Sequence, residues 1–150
     1  MLVPLRCQIT EIINAEGPIR ESLLKRRLAR AWGFTRVGSG IADVIKRALP
    51  YAVRATDNGD GRVFWRNDQT PGEWPFWRVA EEDADKRELA DIPTEEIANA
   101  MLEILDGFQS CERDPLYRET LRALGFTTLT NKARPILDAA LELLRKAGRI

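Results

Sequence analysis

The feature that most constrains this chain is that it repeats itself once. Sliding the 150-residue sequence by 92 positions aligns Leu5 to Leu49 with Ile97 to Leu141 without a gap, laying Gly125-Phe126-Thr127 on Gly33-Phe34-Thr35. Glu11/Glu103, Ile12/Ile104, Leu24/Leu116, Arg26/Arg118, Arg30/Arg122, Ala31/Ala123, Ala48/Ala140 and Leu49/Leu141 are identical across the two copies. Ile9/Met101, Ile13/Leu105, Trp32/Leu124, Val37/Leu129, Val44/Ile136 and Ile45/Leu137 keep their apolar character. A period this long means a duplicated folding unit rather than a solenoid, whose repeats run to about 20–50 residues.

Each copy reads as helices around a sharp corner. Leu5, Ile9, Ile12 and Ile13 recur at helical spacing and predict a first helix ending near Glu16-Gly17-Pro18, where Gly and Pro stop it. Ile19 is expected to be a short extended residue. Ser22 is the expected N-cap of a second helix running to Trp32, with Leu24, Leu28, Ala31 and Trp32 inward and Lys25, Arg26, Arg27 and Arg30 over the rest. In the second copy Asp114 takes the capping place, with Pro115 behind it as the first helical residue. Gly33 and Gly125 close these helices at the position where a left-handed backbone needs no Cβ. Phe34 and Val37 are expected to tuck beneath the first corner. Ser39 then caps a third helix whose inward stripe is Ile41, Val44, Ile45, Ala48 and Leu49, and whose outer side carries Asp43, Lys46 and Arg47.

After Pro50 the pattern changes. Residues 51–56 and 62–66 read as two strands, joined by the turn Asp57-Asn58-Gly59-Asp60-Gly61, in which Asn-Gly supplies positive φ. A calcium loop is the alternative for this turn, but its ligand spacing fails at Gly59. A connector follows, with Trp74-Pro75-Phe76-Trp77-Arg78 and then an acidic run from Glu81 to Asp91. It is long for a structureless loop, so its aromatics are expected to pack across both units. Thr94-Glu95-Glu96 opens the second copy with acid in the first turn of a helix, and Ile97, Met101, Ile104, Leu105 and Phe108 form its buried face.

Three helices followed by a hairpin make the winged-helix arrangement. The fold class expected is therefore mainly α with a small β-hairpin, a tandem winged-helix or helix-turn-helix duplication. Its divisions are a first winged-helix unit at 1–66, an aromatic and acidic connector at 67–93, and a second helix-turn-helix unit at 94–150. The second copy reaches Gly148-Arg149-Ile150 where its hairpin should begin, so its wing is expected to be truncated or vestigial.

Charge separates the parts. Net charge is zero, yet residues 1–50 carry nine Lys/Arg against four Asp/Glu, residues 51–96 six against twelve, and residues 97–150 eight against seven. A basic first unit permits a nucleic-acid face without demanding one. No apolar run approaches the roughly 18 residues of a membrane span, and the start breaks into charge too early for a signal peptide. Cys7 and Cys111 have no metal-like spacing; Cys111 stands where the first copy has Ile19, so a buried apolar role is expected. The expected compartment is the reducing cytoplasm.

Glu16-Gly17-Pro18-Ile19, Leu28-Ala29-Arg30-Ala31, Gly33-Phe34-Thr35-Arg36, the Phe64-Trp65 strand and the stretch from Ile92 to Ala100 together carry a likeness. They resemble an uncharacterised bacterial domain family (domain of unknown function 3320) at the C-terminal end of large superfamily-I helicase-like proteins, often beside a nuclease-like domain. The resemblance implies an accessory module of a DNA-processing machine and supplies no catalytic residues. It also implies that these residues are one segment of a longer natural protein.

Catalytic signatures are missing from the sequence. There is no histidine, no phosphate-loop motif, no Cys/His cluster and no nucleophile elbow. Gly38-Ser39-Gly40 reads as an open turn before a helix rather than a phosphate cradle, and the consecutive carboxylates Glu81, Glu82, Asp83 and Asp85 as a solvated connector. The chain is therefore expected not to be an enzyme, to carry no metal or cofactor and to take no small-molecule substrate.

Two binding readings stand. As a helix-turn-helix, the first unit would meet double-stranded DNA through Ser39, Lys46 and Arg47 on the helix after the corner, with Arg36 at the corner. Lys25, Arg26 and Arg30 would hold phosphates, and Arg54 and Arg62 on the hairpin would touch an adjacent groove, while Asp43 opposes all of these. In the second copy Pro135 stands for Asp43, delaying the helix to about that residue. Asp138 and Ala139 replace the cationic pair, so that copy is expected to pack against protein. The rival reading is a protein-docking module for helicase or nuclease portions of a larger protein, with Trp65, Trp74, Phe76 and Trp77 as anchors or, alternatively, as a cap between the two units.

Overall fold

The computed structural model describes residues 2–33, 40, 43, 47, 54–59, 61–79, 87–107 and 112–150, with the backbone alone at 2–5. The chain is mainly helical with a small three-stranded antiparallel sheet. It divides into two compact units, 1–73 and 74–150. Among the described residues no helix is long and apolar enough to cross a membrane.

In the first unit, α1 (Leu2–Glu16) is followed by a two-residue strand β1 (Ile19–Arg20) and directly by α2 (Glu21–Ala31). The strands β2 (Arg54–Asp57) and β3 (Arg62–Trp65) form the expected hairpin. The sheet order is β1-β3-β2, so β3 is central, pairing Ile19 with Phe64 on one edge and Ala55 with Phe64 on the other. Ile9, Ile13, Ile19, Leu23, Leu24, Leu28 and Phe64 make the core. Each fully buried aliphatic here is worth about 1.5–3 kcal/mol of transfer free energy. Asp57 Oδ1 accepts the Gly59 N–H at 2.8 Å, a local bond that shapes the hairpin turn.

Gly17 sits where no side chain fits. A Cβ there would stand 2.5 Å from the Ile13 carbonyl oxygen, while its own N–H closes α1 on that same oxygen at 2.7 Å. The buried Gln69 staples this corner to the end of β3, donating to the Gly17 carbonyl and accepting the Arg66 N–H, both at 2.9 Å. Arg27 bonds both carboxylate oxygens of Glu16 at 3.2 Å, fastening α2 to α1.

Two expectations for α2 are overturned. Its N-cap is Arg20, without a side-chain cap bond, and Ser22 lies inside the first turn. Continuous pairing of β1 with β3 carries extended backbone up to Arg20 and leaves no room for a later start. Ala31 and Trp32 are exposed, and Leu23 and Ala29 are buried instead. An earlier start and the contact with β3 rotate the buried stripe toward these residues. The Trp32 indole N–H donates to Gln8 Oε1 at 2.6 Å. Gly33 has φ +82° and donates to the Arg30 carbonyl, as a helix-terminating glycine should. The expected third helix, with Phe34, Val37 and its inward stripe, lies outside the described residues except for Gly40, Asp43 and Arg47, which are helical and exposed.

The second unit holds α3 (Thr94–Gly107), α4 (Arg113–Ala123) and α5 (Ala133–Lys146), with α3 packed on both others. Ile97, Met101, Leu116, Tyr117, Leu121, Leu137 and Ala140 are at the centre of its core. Ile104 and Leu105 are partly buried against it, while Phe108 and Cys111 lie outside the described residues. The cap of α4 is Glu112, not Asp114, which with Pro115 falls in the first turn. Asp114 is engaged elsewhere, accepting both Arg134 guanidinium nitrogens at 2.9 and 3.2 Å. Pro135 is tolerated because it is the third residue of α5, where its missing N–H would have had no helical partner. The end of α4 is a Schellman turn, with Gly125 N–H on the Arg122 carbonyl and Phe126 N–H on that of Leu121 at 2.8 Å.

The span read as an acidic connector carries a buried charge cluster. Glu96, in the first turn of α3 and 0% exposed, accepts Arg78 Nε on one oxygen at 2.7 Å and an Arg87 guanidinium nitrogen on the other at 2.6 Å. Arg87 also donates to the Arg78 carbonyl at 3.2 Å. Asn99 holds the aromatic stretch by donating to the carbonyls of Trp74 and Phe76. The carboxylates Glu81, Glu82, Asp83 and Asp85 lie outside the described residues.

Candidate nucleic-acid interface

Because α2 follows β1 without a linker, and β1 pairs with β3, the start of α2 lies beside the start of β3. Gly61, at φ +109°, turns the chain into β3 there. The result is a cleft of about 400 Å³ lined by Arg20, Glu21, Ser22, Lys25, Arg26, Gly61 and Arg62, four cations against one carboxylate.

Glu21 organises these cations. Its two oxygens accept Arg62 Nε at 3.1 Å and a terminal Arg62 nitrogen at 2.6 Å, and Lys25 Nζ stands 3.7 Å away on the next turn. Acid one turn ahead of base is also the favourable order on a helix. The Arg62 guanidinium lies 5.3 Å from the centroid of the Phe64 ring, a cation–π contact that holds it flat. The hydrogen bond from Arg62 holds the Glu21 carboxyl below its ordinary value against the opposing effect of burial. The same bond raises Arg62. The pair is thus ionised together, with Glu21 occupying the Arg62 fork, and the described lining keeps an excess of positive charge through Arg20, Lys25 and Arg26.

Of the residues singled out from the sequence, Lys25, Arg26 and Arg62 are brought together here. Arg30 and Arg47 are exposed but line no part of this cleft, and Arg54 is exposed while donating to the Gln69 carbonyl at 2.7 Å. Arg36, Ser39 and Lys46 lie outside the described residues. Arg20 and Glu21 were missed. Both stand where the sequence suggests only a short link before a helix, and nothing local announces that Arg62, 41 positions beyond Glu21, comes back to them.

The aromatic set does not act as one surface. Trp65 is buried in the first unit, its indole N–H donating to Thr56 Oγ1 at 2.9 Å, so it anchors nothing outside. In the second unit Trp77 packs against the core. Trp74 is half-buried and meets Phe76 edge to face at 5.9 Å, while Phe76 is 61% and Val79 50% exposed.

Residues 4–43 match the model of a family described as a protein of unknown function (DUF3320). The resemblance to an uncharacterised family is borne out over that stretch, which takes in most of α1 and all of α2. No curated protein and no solved structure matches the chain.

Proposed function

We propose that the first unit is a non-catalytic nucleic-acid-binding module of the winged-helix type, serving a DNA-processing protein of the helicase or nuclease kind. The observation that carries this reading is the convergence of Arg20, Lys25, Arg26 and Arg62 on one open cleft between α2 and the hairpin. Exposed Arg30, Arg47 and Arg54 supply further cations for a phosphate backbone. Among the described residues no aromatic ring lines the cleft, which favours contact with phosphate over base stacking. A hairpin following the helices, and glycine corners at Gly33 and Gly125 with φ +82° and +92°, support the tandem winged-helix reading.

Labelled duplex titrated with the chain tests it. Three neutralised phosphates weaken binding about 40-fold between roughly 50 and 200 mM salt, each contributing about 0.9 to the logarithmic slope. Lys25→Glu with Arg26→Glu should weaken that binding and lower its logarithmic salt slope, with an unchanged circular dichroism spectrum. Absence of binding at low salt overturns the proposal.

A second reading, protein docking, has the exposed Phe76 and Val79 behind it. It predicts a complex with helicase or nuclease portions that Phe76→Ala abolishes. Trp77→Ala is a poor probe of that reading, because Trp77 packs against the core.

A further inference from the structure

The second unit, whose last helix reads in the sequence as suited to packing against protein, carries a cleft of its own. The Schellman turn at Gly125 sends the chain back along α4, so that residues 126–130 run beside the helix they have just left. Between them lies a cleft of about 280 Å³. Leu121 and Phe126 contribute its apolar part, and Arg118, Arg122, Thr127 and Thr128 its polar part.

The polar set has the chemistry of an anion site. Arg118 and Arg122 are one turn apart on the exposed side of α4, and the two threonine hydroxyls, 3.5 Å from one another, are exposed across from them. Among the described residues no carboxylate lines the cleft. Among the described residues Arg122 pairs with Glu119 on its own helix at 2.5 Å, an exposed, solvent-screened pair that an incoming oxyanion can displace. Asp114, one turn before Arg118, is occupied by Arg134.

The internal repeat gives independent support. Arg118 and Arg122 stand on Arg26 and Arg30, and Thr127 on Thr35. Other cations differ between the copies: Lys25, Arg27 and Arg36 correspond to Tyr117, Glu119 and Thr128, and Lys46 and Arg47 to Asp138 and Ala139. Asp138 is engaged by the Tyr117 hydroxyl. Of the cations on the helix before the corner, the two copies share Arg26/Arg118 and Arg30/Arg122, one turn apart in each.

We infer that Arg118, Arg122, Thr127 and Thr128 form a second nucleic-acid phosphate site, contacting backbone without reading bases. This rests on the proposed nucleic-acid function and extends it to the second unit. The whole chain is titrated with labelled duplex across a salt series in three forms: unaltered, Lys25→Glu/Arg26→Glu, and Arg118→Gln/Arg122→Gln. The glutamines preserve helix propensity on exposed positions, and circular dichroism checks the fold. The inference expects Arg118→Gln/Arg122→Gln to lower the logarithmic salt slope by about 1.8, and the Lys25/Arg26 variant to retain salt-dependent binding that shifts the amide signals of Thr127 and Thr128. An unchanged slope in Arg118→Gln/Arg122→Gln overturns the inference and leaves the first-unit reading intact. No binding by the unaltered chain overturns both. Amide shifts as large with inorganic phosphate at matched ionic strength as with duplex overturn the assignment to a nucleic-acid backbone.

Discussion

Replacing Glu96 with alanine should be among the most damaging single changes in the second unit. The carboxylate is 0% exposed, and its two oxygens are each taken by a different arginine. The arginines are not equally trapped. The Arg78 side chain is 35% exposed and can turn into water once released, whereas the Arg87 side chain is 12% exposed. Losing one partner of a buried pair costs about 3–5 kcal/mol, chiefly through the stranded charge. Only Arg87 is stranded here, so the lower end, about 3 kcal/mol, is expected. Urea unfolding of the whole chain, followed by circular dichroism and tryptophan fluorescence, measures it. The same reasoning makes the loss recoverable. Glu96→Leu with Arg87→Met removes both buried charges and should regain most of the stability, because apolar replacement of a buried pair is often neutral or better. A Glu96→Ala change below about 1 kcal/mol, or a double variant no better than the single one, would show that charge desolvation is not what holds this region.

Two further outcomes follow from local geometry. Gly33→Ala and Gly125→Ala each place a side chain at positive φ, with about 1–2 kcal/mol of backbone strain. Gly125→Ala should lose more, since its Cβ would also stand 3.2 Å from Val79 Cγ1, while a Cβ on Gly33 meets none of the described residues within 4 Å; equal losses in urea unfolding would refute the contact. The Glu21 carboxyl is held below its ordinary value of 4.5 in the folded chain, so its contribution is complete above that pH and is lost as pH falls through the lowered value. Glu21→Gln should therefore flatten part of the decline in urea midpoint below about pH 4.5, and an unaltered profile would refute the linkage.

Sequence alone determined what depends on neighbours a few positions away. The glycine corners, the helix preceding each, the Asn-Gly hairpin and the buried Leu24, Leu28, Ile97 and Met101 all follow from periodicity and backbone freedom that need no tertiary information. The 92-residue sequence repeat is likewise written in the residues themselves. Tertiary structure decided the rest. Arg20 became a cap because β1 pairs with β3, moving the start of α2 and turning Ala31 and Trp32 outward. Trp65 went inside because β3 is the central strand, not an edge. Glu96, which looks like an ordinary first-turn acid, is buried under Arg78 and Arg87 from the span that reads as an aromatic and acidic connector. The cleft in the first unit needs Arg62 to return to Glu21 across the hairpin. Helix periodicity records which side of an element is apolar. Which charges meet across two elements depends on strand register and helix start, and a shift of one or two residues in either changes the partners.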